Sequence, residues 1–523
     1  VAPSRGLGDV YKRQEHDSTD GPSNQQYRNL FAFLTATSAR KDLLLGRREP
    51  EVDKQISLLG SYPETVEQII LQAKQAKDYY LLIGPPGTGK TNLALKSMVQ
   101  EYLLTAEAAN RNCETYYHDN ALLLTAYTNR AVDEICSMLD NLSQSMSFDY
   151  LRIGSEQTTA AVHHSHLLSV RAHNLPNRKV ALSMIQNIPI IVGTVVSLTN
   201  AQIIFNKKRF HTAIIDEASQ LLEPQILGLL SAKVNGENAI QKFVLIGDHK
   251  QLPAVVQLPE NQTMVEVKEL HQIGLFNLRN SLFERLHWLE KNHDRSNFVG
   301  LLNHQGRMHS DIAQFVNAKF YDGKLCVVPL PHQIEKLDWQ HTDNIYEQFV
   351  AQTRIGFVRI AQLKNTDNLC VNIPEASAIT KIIEAICTLH SKNALENFEP
   401  AKQIGIIVPF RSQISAIRNS LRKQGLACAD TITIDTVECY QGSQRDYILY
   451  STTISEPYQV HIISNLQEID GNIVDRKLNV ALTRARKQLF IFGNPEILRH
   501  SPLYSDLMSY CRHLDMMSTS LIE

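Results

Sequence analysis

At 523 residues the chain is too long for one ordinary hydrophobic core, and two or more domains are expected. An apolar content of 43% with 20% charged residues fits a folded soluble protein, and no run of about 18 uninterrupted apolar residues reads as membrane-spanning. The net charge of −2 excludes a bulk basic footprint, so any binding of a polyanion must come from local grooves.

The eight cysteines, Cys113, Cys136, Cys326, Cys370, Cys387, Cys428, Cys439 and Cys511, form no CxxC and no Cys/His cluster at ligand spacing. Zinc and iron–sulfur sites are therefore not expected. A reducing, intracellular setting is expected instead, cytoplasmic or, in a eukaryote, nuclear. No signal-peptide pattern opens the chain.

Residues 1–26 lack either periodicity and end in a polar stretch, so they are expected to be disordered or foreign. Tyr27 to Arg48 carries apolar positions at helical spacing, which predicts a helix within a helical flank over 27–60. Tyr62 to Lys77 predicts another. Gln68 in that helix reads either as an adenine contact or as a solvated glutamine. Next comes YYLLI (Tyr79 to Ile83), a short apolar strand, and then GPPGTGKT.

A strand leaving through a glycine-rich turn into a helix, here beginning at Asn92, presents successive backbone N–H groups and a positive helix end to a phosphate. Gly84, Pro85, Pro86, Gly87, Thr88 and Gly89 form that cradle. Lys90 supplies a charge for the β- and γ-phosphates, and the Thr91 hydroxyl can complete the shell of Mg²⁺. A glycine turn that merely precedes Lys-Thr is the competing reading, and the flanking strand and helix weigh against it. The loop alone implies NTP binding and does not separate kinase, motor and switch.

Beyond the loop, NLALKSMVQEYLLTAEAA predicts an amphipathic helix, ALLLTAY (Ala121 to Tyr127) a buried strand, and PIIVG (Pro189 to Gly193) another. His163, His164 and His166 lie between them and invite a metal reading, but no acidic or cysteine partner stands at ligand spacing. TAIIDEASQ (Thr212 to Gln220) is a strand ending in Asp-Glu. Asp216 can hold Mg²⁺ through water, and Glu217 can orient and deprotonate the attacking water; capping of a following helix is the alternative. KFVLIGDHKQLPAV (Lys242 to Val255) ends a strand in Gly-Asp, with Gln251 placed to sense the γ-phosphate. In the second half, GFVRI, IGIIVPF, YILYSTT and QLFIFG alternate with helical segments, which predicts a second sheet with helices on both faces.

The order GPPGTGKT, TAYTNRAVDE, Gly193-Thr194, DEASQ and GDHKQLPA resembles the first motor domain of superfamily 1 helicases. It is most similar to the branch containing the nonsense-mediated-decay helicase and its DNA-maintenance relatives. LLNHQGRMHSDIAQFVNAKFYDGKL (Leu301 to Leu325), IGIIVPFRSQISAIR (Ile404 to Arg418), TIDTVECYQGSQRDYILYSTT (Thr433 to Thr453) and LNVALTRARKQLFIFGN (Leu478 to Asn494) resemble the motifs of the second. The resemblance covers roughly Ser61 to Asn494. It implies an α/β fold of two tandem RecA-like domains, parallel sheets flanked by helices, with the NTP site in the cleft between them. Domain 1 would span 61–298, domain 2 299–500, and a helical tail 501–523.

The resemblance further implies an ATP- and Mg²⁺-dependent helicase or translocase acting on single-stranded nucleic acid or a duplex with a single-stranded end, with 5′-to-3′ movement. A remodeller that translocates without unwinding, or the motor portion of a helicase-nuclease, are alternatives. Arg307 and Arg484 would be arginine fingers, and Arg486 either assists or pairs with a neighbouring carboxylate. Thr128, Asn129, Thr194, Ser197, Pro409, Phe410, Gln413 and Thr436 would contact a strand lying across both domains, away from the helix ends. Two residues depart from the pattern. Gly306 stands where relatives usually carry a base-stacking aromatic, and Gln444 replaces an acidic residue that can meet the ribose, so weak discrimination between ATP and GTP is expected.

Overall fold

The computed structural model describes residues 24–110, 115–361, 369–393 and 398–515. They divide into two units. The first holds residues up to Gly84, Gly89–His249 and Pro253–Leu302; the second holds Pro85–Thr88, Lys250–Leu252 and the residues from Asn303 onward.

The first unit is built on seven strands: β1 (Tyr79–Ile83), β2 (Ala121–Ala126), β3 (Tyr150–Ile153), β4 (Ile190–Thr194), β5 (Phe210–Asp216), β6 (Ile240–Gly247) and β7 (Val299–Leu301). Their order across the sheet is β3-β4-β2-β5-β6-β1-β7, and every pairing is parallel. Near-continuous apolar runs such as ALLLTA, buried at all six positions, are what a parallel sheet covered on both faces requires. Strands β3 and β7 escaped the sequence reading because four and three residues are too few to show a period. In β3 the pattern is also broken by Arg152, a buried arginine whose charge meets Asp133 at 2.8 Å.

Because all strands run the same way, their carboxyl ends share one edge, where ligands bind in open α/β sheets. That edge delivers the phosphate loop from β1, Asp216 from β5 and Gly247 from β6. The Gly84 N–H donates to the Gly247 carbonyl at 2.9 Å.

The N-terminal flank differs from expectation. Residues 24–34 are helical, so order begins before Gln26; the rest of the segment expected to be disordered, residues 1–23, lies outside the described residues. The single helix expected over Tyr27 to Arg48 is two, because the Thr37 side chain accepts from the Arg40 N–H and starts a new helix, Ser38–Leu44. From Leu45 to Pro63 there is no helix, so 27–60 is only partly helical. Asn29 ties the first helix down by donating to the Pro224 and Gln225 carbonyls at 2.9 and 3.2 Å.

The main sheet of the second unit has six strands: β8 (Ile355–Arg359), β9 (Ile404–Val408), β10 (Thr433–Thr436), β11 (Arg445–Ser451), β12 (Ala485–Gly493) and β13 (Arg512–Asp515). Their order is β10-β9-β11-β12-β8-β13, again all parallel. Strand β13 corrects the expected helical tail over 501–523. The helix Pro502–Tyr510 is present, but the chain then turns back and pairs with β8. Only Leu514 of its four residues is buried, so the sequence carries no alternation to read.

Glu375, on the helix Ile373–Lys392, is fully buried against the end of β11. It accepts from Ser451 Oγ at 2.5 Å, Thr453 N at 2.9 Å and Asn372 Nδ2 at 3.2 Å. Burial nevertheless pushes its carboxyl up to about 8 from 4.5. A raised folded-state value means the native protein holds the proton that the unfolded chain releases. The stabilisation is therefore full below about 4.5 and lost as pH rises through about 8. Glu375→Gln is expected to flatten the fall in urea midpoint across that window, and an unchanged slope would show that Glu375 is not the titrating group.

Candidate functional site

Strand β1 is buried almost to its end and hands the chain to the loop. The turn Lys90–Leu95 is π-helical and precedes the α-helix Lys96–Asn110, so the helix expected from Asn92 begins with a widened turn, a feature common at functional sites. Gly89 sits at φ +80, where an L side chain would be strained. At Gly84 a Cβ would lie 2.2 Å from Lys90 Cγ, so glycine there lets the lysine stem fold back over the loop. Lys90 Nζ donates to the Gly84 carbonyl at 2.9 Å and stands 3.6 Å from Glu217 Oε1.

At the end of β5, Thr91 Oγ1 donates to Asp216 Oδ2 at 3.0 Å, and Asp216 Oδ1 accepts from the Glu217 N–H at 2.9 Å. Burial and the neighbouring Glu217 push the Asp216 carboxyl up to about 6, against the pull of Lys90. A desolvated carboxylate beside a hydroxyl is an all-oxygen donor set, which suits Mg²⁺. Glu217 is held at φ +52, a region that non-glycine residues occupy at a cost and that clusters at active sites. It makes no capping hydrogen bond to the short 3₁₀ turn Ala218–Gln220, which sets aside the capping alternative. Its Oε2 instead accepts from Gln220 Nε2 at 3.0 Å. Gln220 was missed by sequence reasoning; its spacing of three from Glu217 within DEASQ is the signal that could have found it.

In the second unit Arg484 is 2% exposed, and its guanidinium reaches the Val480 carbonyl at 3.0 Å, Thr483 Oγ1 at 3.0 Å, the Ser443 carbonyl at 3.3 Å and Gln251 Oε1 at 3.4 Å. Gln251 is itself buried. Arg307 is more open. Its Nε donates to Gln444 Oε1 at 2.8 Å and its Nη1 to the Thr483 carbonyl at 3.3 Å. Within the same unit the Gly306 N–H donates to the Gly87 carbonyl at 2.9 Å, and a Cβ at Gly87 would lie 2.4 Å from the Arg307 Cβ. The carbonyl of Gln444, expected at a ribose, is thus engaged by Arg307. Arg486 pairs with Asp446 at 3.0 Å, the second of its two expected roles, and Gln68 is exposed on its helix.

The polymer candidates fall at strand carboxyl ends, and several sit at helix ends, not away from them. Thr128 caps the helix Asn129–Ser143, accepting from the Ala131 N–H at 3.2 Å. Thr194 caps Val195–Asn200, and its Oγ1 also lies 2.9 Å from Ser197 Oγ. Pro409 and Phe410 follow β9 and are half-buried, as is Thr436 at the end of β10. Gln413 is a correction. It is fully buried, and its amide clasps both the N–H and the carbonyl of Asn372, at 2.8 and 3.0 Å, so it serves the fold. Of the histidines, His163 is buried 3.0 Å from Asp140 and His166 stacks on Tyr150. Among the described residues, no group of three or more His, Cys, Asp or Glu is arranged to hold a metal ion. No helix among them is long and apolar enough to cross a membrane.

Two family models, both described as AAA domain, match residues 63–258, in two overlapping segments, and 278–496. The chain is 30% identical over 452 residues to the DNA replication ATP-dependent helicase/nuclease JHS1 of Arabidopsis thaliana, covering 84% of this chain and 29% of that protein. It is 28% identical to the DNA replication ATP-dependent helicase/nuclease DNA2 of Xenopus laevis, covering 84% and 38%. It is 27% identical to regulator of nonsense transcripts 1 of Dictyostelium discoideum, covering 84% and 31%. The chain spans less than half the length of these relatives. With the phosphate loop, the Asp-Glu strand end and the two parallel-sheet units in place, the chain belongs to the superfamily 1 helicases, in the branch of the nonsense-mediated-decay helicase and its DNA-maintenance relatives.

Proposed function

We propose that the chain is a helicase motor that hydrolyses ATP to move 5′-to-3′ along single-stranded DNA or RNA. The observation that carries this reading is the cluster of Lys90, Thr91, Asp216 and Glu217 at one sheet edge, with Thr91 and Asp216 3.0 Å apart. The loop N–H groups and Lys90 bind and orient the phosphates. Thr91 and Asp216 are the residues that would hold Mg²⁺, which would supply neutralisation of phosphate charge there. Glu217 takes the proton of the attacking water, and Gln220 keeps its carboxylate aimed. Gln251 senses the γ-phosphate, and Arg307 and Arg484 stabilise the charge that develops on it.

Thr128, Asn129, Thr194, Ser197, Pro409, Phe410 and Thr436 are proposed strand contacts, with Phe410 stacking a base and the hydroxyls, amides and backbone groups meeting phosphates and sugars. A second reading, the motor portion of a longer helicase-nuclease, draws support from the names of the first relatives and from the short part of each that this chain covers. Steady-state NTPase activity with and without single-stranded DNA and RNA tests the proposal. Stimulation by one polymer, with similar ATP and GTP rates, is expected; polymer-independent turnover would overturn the helicase assignment.

A further inference from the structure

We infer that the first unit holds a second ligand site, for a small apolar carboxylate, in a cavity under the helices Glu64–Gln75 and Lys96–Asn110 toward the amino ends of the strands. The cavity is partly open and has a volume of about 320 Å³, within the range of small-molecule sites. Its floor follows from register. Leu122 pairs with Thr212, Thr212 with Lys242 and Ile214 with Val244, and residues two apart on a strand share a face. Ile70 and Met98 close it from the two helices.

One cation faces this apolar space without a counter-ion. Lys242 lines the cavity, is 6% exposed, and donates to the Ala73 and Lys74 carbonyls at 2.8 and 3.1 Å. An ammonium has three N–H groups, and among the described residues the third meets no acceptor and no carboxylate pairs with it. The nearby carboxylate is already committed. Glu101 takes Lys74 at 2.6 Å, the Tyr62 hydroxyl at 2.7 Å and the N–H groups of Leu59 and Gly60 at 2.8 and 3.0 Å. Clamping the end of the helix Glu64–Gln75 accounts for two of the Lys242 donors. It accounts neither for the cavity nor for an ammonium buried beside it, which burial pushes down to about 8. A ligand carboxylate would meet the third donor and restore charge balance, while an apolar body of some eight carbons would fill the space between Ile70, Met98 and Val244.

The test is calorimetric titration of the full chain with octanoate, using 1-octanol as the uncharged control. Octanoate is expected to bind saturably at one site. Lys242→Met, which keeps the volume and removes the charge, should weaken octanoate at least about tenfold, or about 1.4 kcal/mol, and leave octanol unchanged. Thr105→Phe, a half-buried lining residue enlarged to fill the cavity, should abolish both. Absence of saturable octanoate binding to the wild type, or equal octanoate affinity in Lys242→Met, would overturn the site. If Lys242→Met does not fold, undiminished binding by Thr105→Phe would overturn it as well. None of these readouts depends on NTP turnover, so the outcome is independent of the helicase reading.

Discussion

Glu217→Gln is expected to lower polymer-stimulated ATP turnover by about 10² to 10⁴, the usual contribution of a positioned general base, while leaving nucleotide binding intact. The substitution keeps shape and removes basicity. The amide oxygen can still accept from Gln220 Nε2, now 3.0 Å from Oε2, and the left-handed backbone at φ +52 is unaffected by the side-chain change. The ion pair with Lys90, 3.6 Å away, is lost, which leaves the lysine with its Gly84 carbonyl and free to meet phosphate. Binding measured with a fluorescent nucleotide should therefore equal or exceed that of the wild type. A loss of kcat with unchanged affinity is the signature of an interaction made only in the transition state. Wild-type turnover in the variant would remove Glu217 from the role, and Gln220→Ala, with a smaller loss, separates aiming the base from being the base.

Much of this site was legible because its chemistry is written in contiguous motifs. GPPGTGKT and DEASQ each put their functional groups within a few residues, and parallel strands bring the two motifs to one edge. What was not legible depends on distant partners. Gln413 reads as a polar residue after a strand, yet it is buried because the backbone of Asn372, 41 positions earlier, consumes its amide. Gln444 reads as a sugar contact, and its hydrogen bond to Arg307, 137 positions away, is not visible in the sequence. The short strands β3, β7 and β13 failed for a different reason. Each is fixed by the neighbour it pairs with, and three or four residues are too few to show a period of two. Thr37 shows the converse: a hydroxyl inside a helical pattern was a cap that splits the flank in two.

The two arginines should separate when each is replaced by alanine. Arg307→Ala is expected to lower kcat by about 10³ to 10⁵, the contribution of an arginine that stabilises the transferred phosphoryl, with little change in melting temperature. Its Gln444 partner is exposed and can turn to water, and the Thr483 carbonyl gives up a long hydrogen bond of 3.3 Å, a smaller loss than that around Arg484. Arg484→Ala should also abolish turnover, but it acts on the fold at the same time. The Ser443 carbonyl loses its donor in a place that water does not reach, at about 1–3 kcal/mol for a buried group left unsatisfied, and the Val480 carbonyl, Thr483 Oγ1 and Gln251 Oε1 each lose one hydrogen bond. Lysine replacements resolve the ambiguity. Arg307→Lys retains a charge and should recover part of the rate if Arg307 works electrostatically. Arg484→Lys cannot span four oxygens with one ammonium and should remain both unstable and slow. Equal melting temperatures for Arg307→Ala and Arg484→Ala would show that the buried network is not what Arg484 supplies, and an Arg307→Ala variant that hydrolyses ATP at the wild-type rate would remove it from the transition state.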